Sequence, residues 1–320
     1  MSEAETGAGA ALVAEGVSKR YGDTVALDGV SLSIPAGEVF GLVGPNGAGK
    51  TTLVRALTGT TRCEGSIGVL GAAPNAVDAQ RVGLLPQSFN PADRLTAREL
   101  IAYYAGLYDE ARPVAAVLDD VGLADDADTW YENLSGGQRR RACVGTALVN
   151  DPDVLFLDEP TTGIDPAGRR ALWGLVDDLA AGGTTVLLTS HSMAEVERLA
   201  DRVGLLRDGS LVAVGSPAEL IADHGGDSRL LVDGADVDAA AVATALDAEV
   251  GERDGRLVVR NVSLAQVGEL VADLEAAGVD FDSFTWAEPS LEDVYLRLTG
   301  ETMADVDAGE TVDAEVEAGR

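Results

Sequence analysis

A glycine-rich stretch that ends in a lysine and two threonines is the first part of this chain whose spacing predicts chemistry. It follows an apolar run, Val39 to Val43, and consists of Gly44, Pro45, Asn46, Gly47, Ala48, Gly49, Lys50, Thr51 and Thr52. The pattern matches loops that bind nucleotide phosphates, because glycines let backbone N–H groups approach the phosphate oxygens. Lys50 would neutralise phosphate charge, and the Thr51 hydroxyl would reach Mg²⁺. A chance glycine-rich turn is disfavoured, because the pattern is complete and follows a strand.

Two neighbouring carboxylates end a second apolar run. Val154 to Leu157 predicts a buried strand, and Asp158 and Glu159 follow it directly. Successive strand residues point to opposite faces, so the two carboxylates should have different roles. Asp158 is the candidate to hold Mg²⁺ through its waters, and Glu159 the candidate to polarise an attacking water. Taken alone, such a pair could also be a helix N-cap or part of a solvated loop.

A second candidate phosphate site follows Leu134. It consists of Ser135, Gly136, Gly137 and Gln138. Ser135 is placed as a helix N-cap with Gln138 three residues later, and two bare glycines would expose N–H groups at the helix start. The chain thus has two phosphate cradles but one lysine-bearing loop. One explanation is that the second cradle serves the nucleotide of a neighbouring subunit.

These motifs, in this order, resemble those of the ATP-binding subunits of ABC transporters, whose signature motif is Leu-Ser-Gly-Gly-Gln. The similarity covers residues 11 to about 220. It implies that the chain binds ATP and Mg²⁺ and hydrolyses ATP. It also implies a pair of such chains, a homodimer or a pair with a related ATPase subunit, that holds ATP between them. The expected further partner is a separate transmembrane permease.

The resemblance assigns roles to four further residues. Tyr21 is placed like the aromatic residue that stacks on adenine, and Gln87 like the glutamine that senses Mg²⁺ and the membrane partner. Asp165 resembles the acidic residue of the loop that crosses the dimer interface. His191 resembles the histidine that contacts the γ-phosphate. Without the other motifs, Tyr21 would equally be a strand aromatic and His191 a structural histidine.

The strands and helices indicated around these motifs predict an α/β fold. It is a P-loop NTPase core with an antiparallel β subdomain at its start and a helical insertion at about 88–133. Strands at Val154–Leu157 and Thr184–Thr189 with a helical stretch between them indicate a parallel sheet with right-handed crossovers. Asp208-Gly209 between two apolar runs predicts a hairpin.

The chain should end in a smaller second domain. A helix that begins after Ser216 is expected to close the main domain, 1–225. Residues 226–300 contain a weak repeat of strand and amphipathic helix, which predicts a small α+β ferredoxin-like βαββαβ domain. In its second helix, one face would hold Leu264, Val267, Leu270, Val271 and Leu274. This domain resembles extensions of drug-exporter ATPases, which favours export over import and a dimerising or regulatory role. The tail, 301–320, holds seven acids and one arginine and should be disordered.

The charge balance limits the partners of this protein. There are 54 acidic and 23 basic residues, for a formal net charge of -31. Such a field repels phosphate backbones, so no nucleic acid partner is expected. Lys19 and Lys50 are the only lysines. The composition resembles that of proteins from salt-loving archaea, and the alternative is an acidic protein from a mesophile.

The location and the competing functions follow from absences in the sequence. No apolar run reaches the 18 residues of a membrane span, and the start, Met1 to Ala10, is acidic. The expected location is therefore the cytoplasm, on the inner face of the membrane. A soluble ABC ATPase of translation, DNA repair or cofactor assembly is a second reading, although paired cassettes and coiled coils are lacking. A non-hydrolysing ATP sensor is a third, against which Glu159 argues.

Overall fold

The computed structural model describes residues 9–300 except 234–238, 247, 249, 254–255 and 277. The chain divides between Pro217 and Ala218 into two compact units. The acidic tail expected at 301–320 lies outside the described residues. Within the described part, no helix is long and apolar enough to cross a membrane.

The first unit begins with a three-stranded antiparallel sheet. Its strands are β1 (Ala10–Tyr21), β2 (Thr24–Pro35) and β4 (Glu64–Val69), in the order β2-β1-β4. Along the second half of β2, Val30, Leu32 and Ile34 are buried while Ser31 and Ser33 are exposed. This alternation is that of a half-buried strand, and the sheet is the antiparallel β subdomain expected at the start of the chain.

A six-stranded sheet forms the centre of the first unit. Its strands are β3 (Val39–Val43), β5 (Val82–Leu85), β6 (Val154–Asp158), β7 (Thr185–Ser190), β8 (Arg202–Arg207) and β9 (Ser210–Gly215). The order is β5-β6-β7-β3-β8-β9, and all neighbours are parallel except β8 and β9. Strands β3, β6 and β7 are buried throughout, as expected for apolar strands covered on both faces. The predicted hairpin joins β8 to β9, with positive φ at both Asp208 and Gly209.

Helices cover this sheet and form a separate cluster beside it. The helices of the first unit are α1 (Lys50–Leu57), α2 (Ala97–Ala105), α3 (Val114–Asp120), α4 (Gly136–Thr146), α5 (Pro166–Ala181) and α6 (Met193–Leu199). Short 3₁₀ helices lie at Ala79–Arg81 and Tyr131–Asn133. Because α4 packs against α2 and α3, the helical segment extends past the predicted limit at 133.

The second unit is a four-stranded antiparallel sheet with helices. Its elements are α7 (Pro217–Leu220, whose first residue belongs to the first unit), a π-helical turn (Ile221–Gly225), β10 (Arg229–Asp233), α8 (Ala239–Leu246), β11 (Val250–Arg253), β12 (Arg256–Arg260), a 3₁₀ helix (Leu264–Gln266), α9 (Val267–Ala276), β13 (Ser283–Ala287) and α10 (Leu291–Thr299). The strand order is β11-β12-β10-β13.

Two details of the second unit differ from expectation. The stretch 221–225, predicted to close the main domain, packs against α10, so it belongs to the second unit. Leu264 was expected on the buried face of the second helix, but its side chain is 65% exposed. Leu264 lies in the 3₁₀ helix before α9. A 3₁₀ helix has about 3.0 residues per turn instead of about 3.6, so Leu264 is not on the same face as Leu274 of α9.

Candidate active site

The loop between β3 and α1 can be built only with glycine at two of its positions. A Cβ on Gly44 would lie 2.3 Å from the carbonyl oxygen of Leu206. Gly49 has a φ of +106°, and a Cβ there would lie 2.4 Å from the carbonyl oxygen of Ala26. The backbone therefore turns tightly into the start of α1, and the positive end of a helix favours an anion.

This loop lines an open cleft of about 310 Å³. The lining residues are Ala26, Asn46, Gly47, Ala48, Gly49, Lys50, Thr51, Thr52, Gln87 and Glu159. Lys50 is almost fully buried, and its Nζ donates to the carbonyl oxygens of Gly44 (2.6 Å) and Pro45 (2.8 Å). The structure thus brings together the predicted loop, Gln87 and Glu159. Ala26, a small residue of β2, carries no sequence signal that would have placed it here.

Asp158 is the last residue of β6 and is held by the neighbouring strand. Thr189 of β7 lies directly beside it in the register, and the Thr189 hydroxyl donates to Asp158 Oδ1 at 2.6 Å. The same hydroxyl accepts the backbone N–H of Glu159 at 3.0 Å. Thr189 was missed by the sequence analysis. Its only signal is a polar residue at the end of a buried strand.

Glu159 does not continue the strand. Its φ is +49°, a left-handed conformation that is unfavourable for a residue with a Cβ. Glu159 therefore lies outside the strand, and the alternation of side chains along a strand, which was expected to separate it from Asp158, does not apply to it. The two carboxylates nevertheless have separate partners, because Glu159 Oε1 lies 3.9 Å from Lys50 Nζ and Oε2 accepts the Thr162 hydroxyl at 3.2 Å.

The oxygen atoms at this end of the sheet suit a hard divalent cation. Thr51 Oγ1 donates to Gln87 Oε1 at 3.5 Å, and both residues border a depression that also contains Asp158. In the described part of the chain, no three acidic, histidine or cysteine side chains form a metal site by themselves.

His191 follows the last residue of β7 and lies beside Glu159. Its Nδ1 is 3.7 Å from Glu159 Oε2, and its side chain is 48% exposed. Beneath this loop, the buried carboxylate of Glu195 accepts the hydroxyls of Ser190 (2.6 Å) and Thr161 (2.8 Å) and the indole N–H of Trp173 (3.1 Å). Glu195 thus holds the side chains of Thr161 and Ser190, which lie close in sequence to Glu159 and His191, and no sequence pattern indicated this role.

The second cradle has the predicted helix cap. The Ser135 hydroxyl accepts the backbone N–H of Gln138 (3.2 Å), and Gln138 Oε1 accepts the backbone N–H of Ser135 (2.8 Å). Ser135 and Gly136 are exposed, whereas Gly137 is buried. Among the described residues, those that line the Lys50 cleft do not include this motif.

Asp165 and Tyr21 also lie away from the cleft lining. Asp165 caps α5 by accepting the N–H of Ala167 at 3.2 Å, and a Cβ on Gly137 would lie 2.9 Å from its Oδ1. Its loop is therefore packed against the start of α4. Tyr21 is 45% exposed at the end of β1, with Lys19 Nζ 4.8 Å above its ring. The Tyr21 hydroxyl lies 3.4 Å from the hydroxyl of Thr61.

Comparisons with known proteins agree with this geometry. The family model described as "ABC transporter" matches residues 27–162. A daunorubicin resistance ATP-binding protein of Streptomyces coeruleorubidus is 38% identical over 91% of this chain and 96% of its own length. A Nod factor export ATP-binding protein I of Ralstonia nicotianae is 39% identical over 92% and 95%. The crystal structure of a nucleotide-free ATP-binding cassette from an ABC transporter superposes with a TM-score of 0.60 at 25% identity, over 67% of this chain and 94% of that one.

Proposed function

Because this chain belongs to the family of ATP-binding subunits of ABC transporters, we propose that two copies of it enclose two ATP molecules at their interface. The chain binds and hydrolyses ATP and thereby energises a transporter. Closure of the two copies around ATP would drive a separate membrane-spanning permease.

One observation supports the dimer more than any other. The cleft that contains Lys50 also contains Gln87 and Glu159, whereas Ser135 and Gly136 are exposed at a helix start outside it. A helix start favours an anion, and the described residues that line the Lys50 cleft of the same chain do not include this one. In the proposed dimer, Lys50 of one copy and Ser135 of the other would contact the same γ-phosphate.

The cleft residues divide into an electrostatic and a catalytic group. Lys50 would neutralise the β- and γ-phosphates, and Thr51, Gln87 and Asp158 would hold Mg²⁺ directly or through waters. The bound ion would supply further positive charge to the phosphates during transfer. These assignments are supported by the contact of Thr51 Oγ1 with Gln87 Oε1 at 3.5 Å and by the depression that both residues border together with Asp158.

Glu159 would orient the attacking water and accept its proton. It is nearly buried and close to both Lys50 and His191, so its carboxylate is held rather than free to rotate. His191, half exposed beside it, would contact the γ-phosphate. Asp165 would lie at the dimer interface, and Tyr21 would stack on adenine from its exposed position.

The cargo is proposed to be a small molecule that leaves the cell. The two relatives are named for daunorubicin resistance and for Nod factor export. Both cover nearly the whole of this chain, including its second unit. The site that selects the compound would lie in the permease.

We also propose that the second unit is a ferredoxin-like domain that dimerises or regulates the ATPase. The order β11-β12-β10-β13, with α8 and α9 between strands, supports this fold. The cell is proposed to be halophilic, because the net charge is -31, and the ATPase would lie on the inner face of its membrane.

The substitution Glu159→Gln tests the proposed function. The amide keeps the shape of Glu159 but cannot accept a proton from water, so ATP should bind normally and be hydrolysed very slowly. Intact ATP should then hold the chains together as a dimer that size-exclusion chromatography with light scattering detects. The matched control is Glu110→Gln, an exposed glutamate that does not line the cleft. A variant that stays monomeric at saturating Mg-ATP contradicts the shared site, and wild-type hydrolysis contradicts the role of Glu159.

A further inference from the structure

Three consecutive arginines on α4 contact three different parts of the chain. Successive residues of a helix point about 100° apart, so neighbours cannot share one target. Arg139 donates to the carbonyl oxygen of Leu134 (2.9 Å), just before the second cradle. Arg141 donates to the carbonyl oxygen of Val121 (2.9 Å) in the helical segment. Arg140 points between them, toward the central sheet.

The guanidinium of Arg140 donates hydrogen bonds to four backbone carbonyl oxygens around the proposed hydrolysis site. Nη2 donates to the carbonyl oxygens of Asp158 and Glu159, each at 2.8 Å. Nε donates to Pro160 at 3.0 Å, and Nη1 to Gln87 at 3.5 Å. One side chain of the helix that begins at the second cradle therefore fixes both segments that face the Lys50 cleft.

This contact matters most at Glu159 because its backbone is in an unfavourable conformation. A left-handed residue with a Cβ persists only when its surroundings hold it there. The positive φ of Glu159 allows three successive carbonyls to face a single guanidinium. Burial lowers the pKa of Arg140, but a guanidinium stays charged in proteins, and its planar fork can donate to several acceptors at once.

We propose that Arg140 is a positioning residue that couples the second cradle to the hydrolysis site of the same chain. Through it, a nucleotide held at Ser135 by a neighbouring chain would bias the placement of Glu159 and Gln87. The inference rests on the proposed roles of Glu159 and Ser135. A residue that only stabilised the fold would not affect the chemical step more than its neighbour Arg141 does.

The test compares Arg140→Ala and Arg140→Lys with Arg141→Ala, a matched control that also loses a guanidinium bonded to a carbonyl. Steady-state hydrolysis and the Mg-ATP-induced rise in melting temperature are measured for each. Arg140→Ala should lower kcat by about 10²-fold, the cost of misplacing a catalytic group by about 1 Å. Its KM and thermal shift should stay close to wild type, because Lys50 and its loop are intact. Arg140→Lys keeps the charge but not the fork, so its kcat should be intermediate.

A double-mutant cycle then tests the coupling itself. If Arg140 transmits the state of the second cradle, Ser135→Ala and Arg140→Ala together should lower kcat by less than the product of the single effects. Purely multiplicative effects would overturn the coupling. Equal kcat in Arg140→Ala and Arg141→Ala, or a wild-type kcat in Arg140→Lys, would overturn the positioning role. If Arg140→Ala does not fold, Arg140→Lys alone decides. If Arg140 fails these tests while Glu159→Gln still hydrolyses ATP slowly, the role proposed for Arg140 is wrong and the proposed function remains supported.

Discussion

The Thr189 hydroxyl is the smallest group whose removal should disturb both carboxylates of the site. Thr189→Val keeps the shape of the side chain and removes one oxygen. That oxygen donates to Asp158 Oδ1 at 2.6 Å and accepts the N–H of Glu159 at 3.0 Å, in a fully buried position. The substitution therefore leaves a carboxylate with one donor fewer and a buried N–H without its acceptor.

The magnitude follows from these two bonds. A hydrogen bond to a charged group contributes about 1.5–3 kcal/mol, and an unsatisfied buried N–H costs about 1–3 kcal/mol. The free energy of unfolding should thus fall by about 3 kcal/mol, which for a unit of this size lowers the melting temperature by roughly 6–12 °C. Because Asp158 and Glu159 both lose a constraint, kcat should also fall at least about tenfold, the equivalent of about 1.4 kcal/mol in the barrier.

Thr185→Val is the matched control on the same strand. Thr185 is equally buried, but its hydroxyl accepts only the N–H of Gly37 at 2.9 Å, far from the cleft. The Thr185→Val variant should lose about 1 kcal/mol of unfolding free energy and keep the wild-type kcat. Calorimetry and steady-state hydrolysis at a temperature where both variants are folded provide the measurements. Equal kcat in Thr189→Val and Thr185→Val would contradict the role of the Thr189 hydroxyl in placing Asp158 and Glu159. Thr189 would then contribute to stability alone.

Two further predictions concern the nucleotide and the solvent. Lys50→Ala should abolish the rise in melting temperature that Mg-ATP produces, which corresponds to about 2.7 kcal/mol of stabilisation at a hundredfold excess over Kd. Arg98→Ala, at an exposed position of α2 that does not line the cleft, should keep that rise. An unchanged shift in Lys50→Ala would mean that the loop does not bind ATP. With a net charge of -31, folding and hydrolysis should require molar salt, and an identical melting curve and activity at low salt would exclude the halophilic interpretation.

The sequence predicted those parts of the fold and site that depend on local patterns. The glycine-lysine loop follows a buried strand, Ser135 and Gln138 form the predicted capping box, and Asp208-Gly209 turns a hairpin. Each of these depends on residues within a few positions of one another, so spacing alone carries the information.

Features that depend on long-range contacts were not predictable in the same way. Alternation along a strand assigned Glu159 to the wrong backbone region, because its left-handed conformation is held by Thr189 and Arg140 from other elements. Three consecutive arginines on α4 are typical of a solvent-exposed helix face. The carbonyl oxygens that accept hydrogen bonds from Arg140 lie on other elements, so local spacing does not indicate them. Leu264 shows the same limit, since helical phase applies only within a continuous helix.

The two cations that organise this site donate hydrogen bonds to neutral backbone oxygen atoms, which bears on how an acidic protein could work in salt. At 1 M salt the Debye length is about 3 Å, so an exposed pair such as Arg98–Asp128 contributes little. Lys50 and Arg140 instead donate to backbone carbonyls in buried or partly buried positions. Those hydrogen bonds are short-range and shielded from ions, so screening should weaken them least. The surface charge could therefore be screened for solubility while the placement of Glu159 persists.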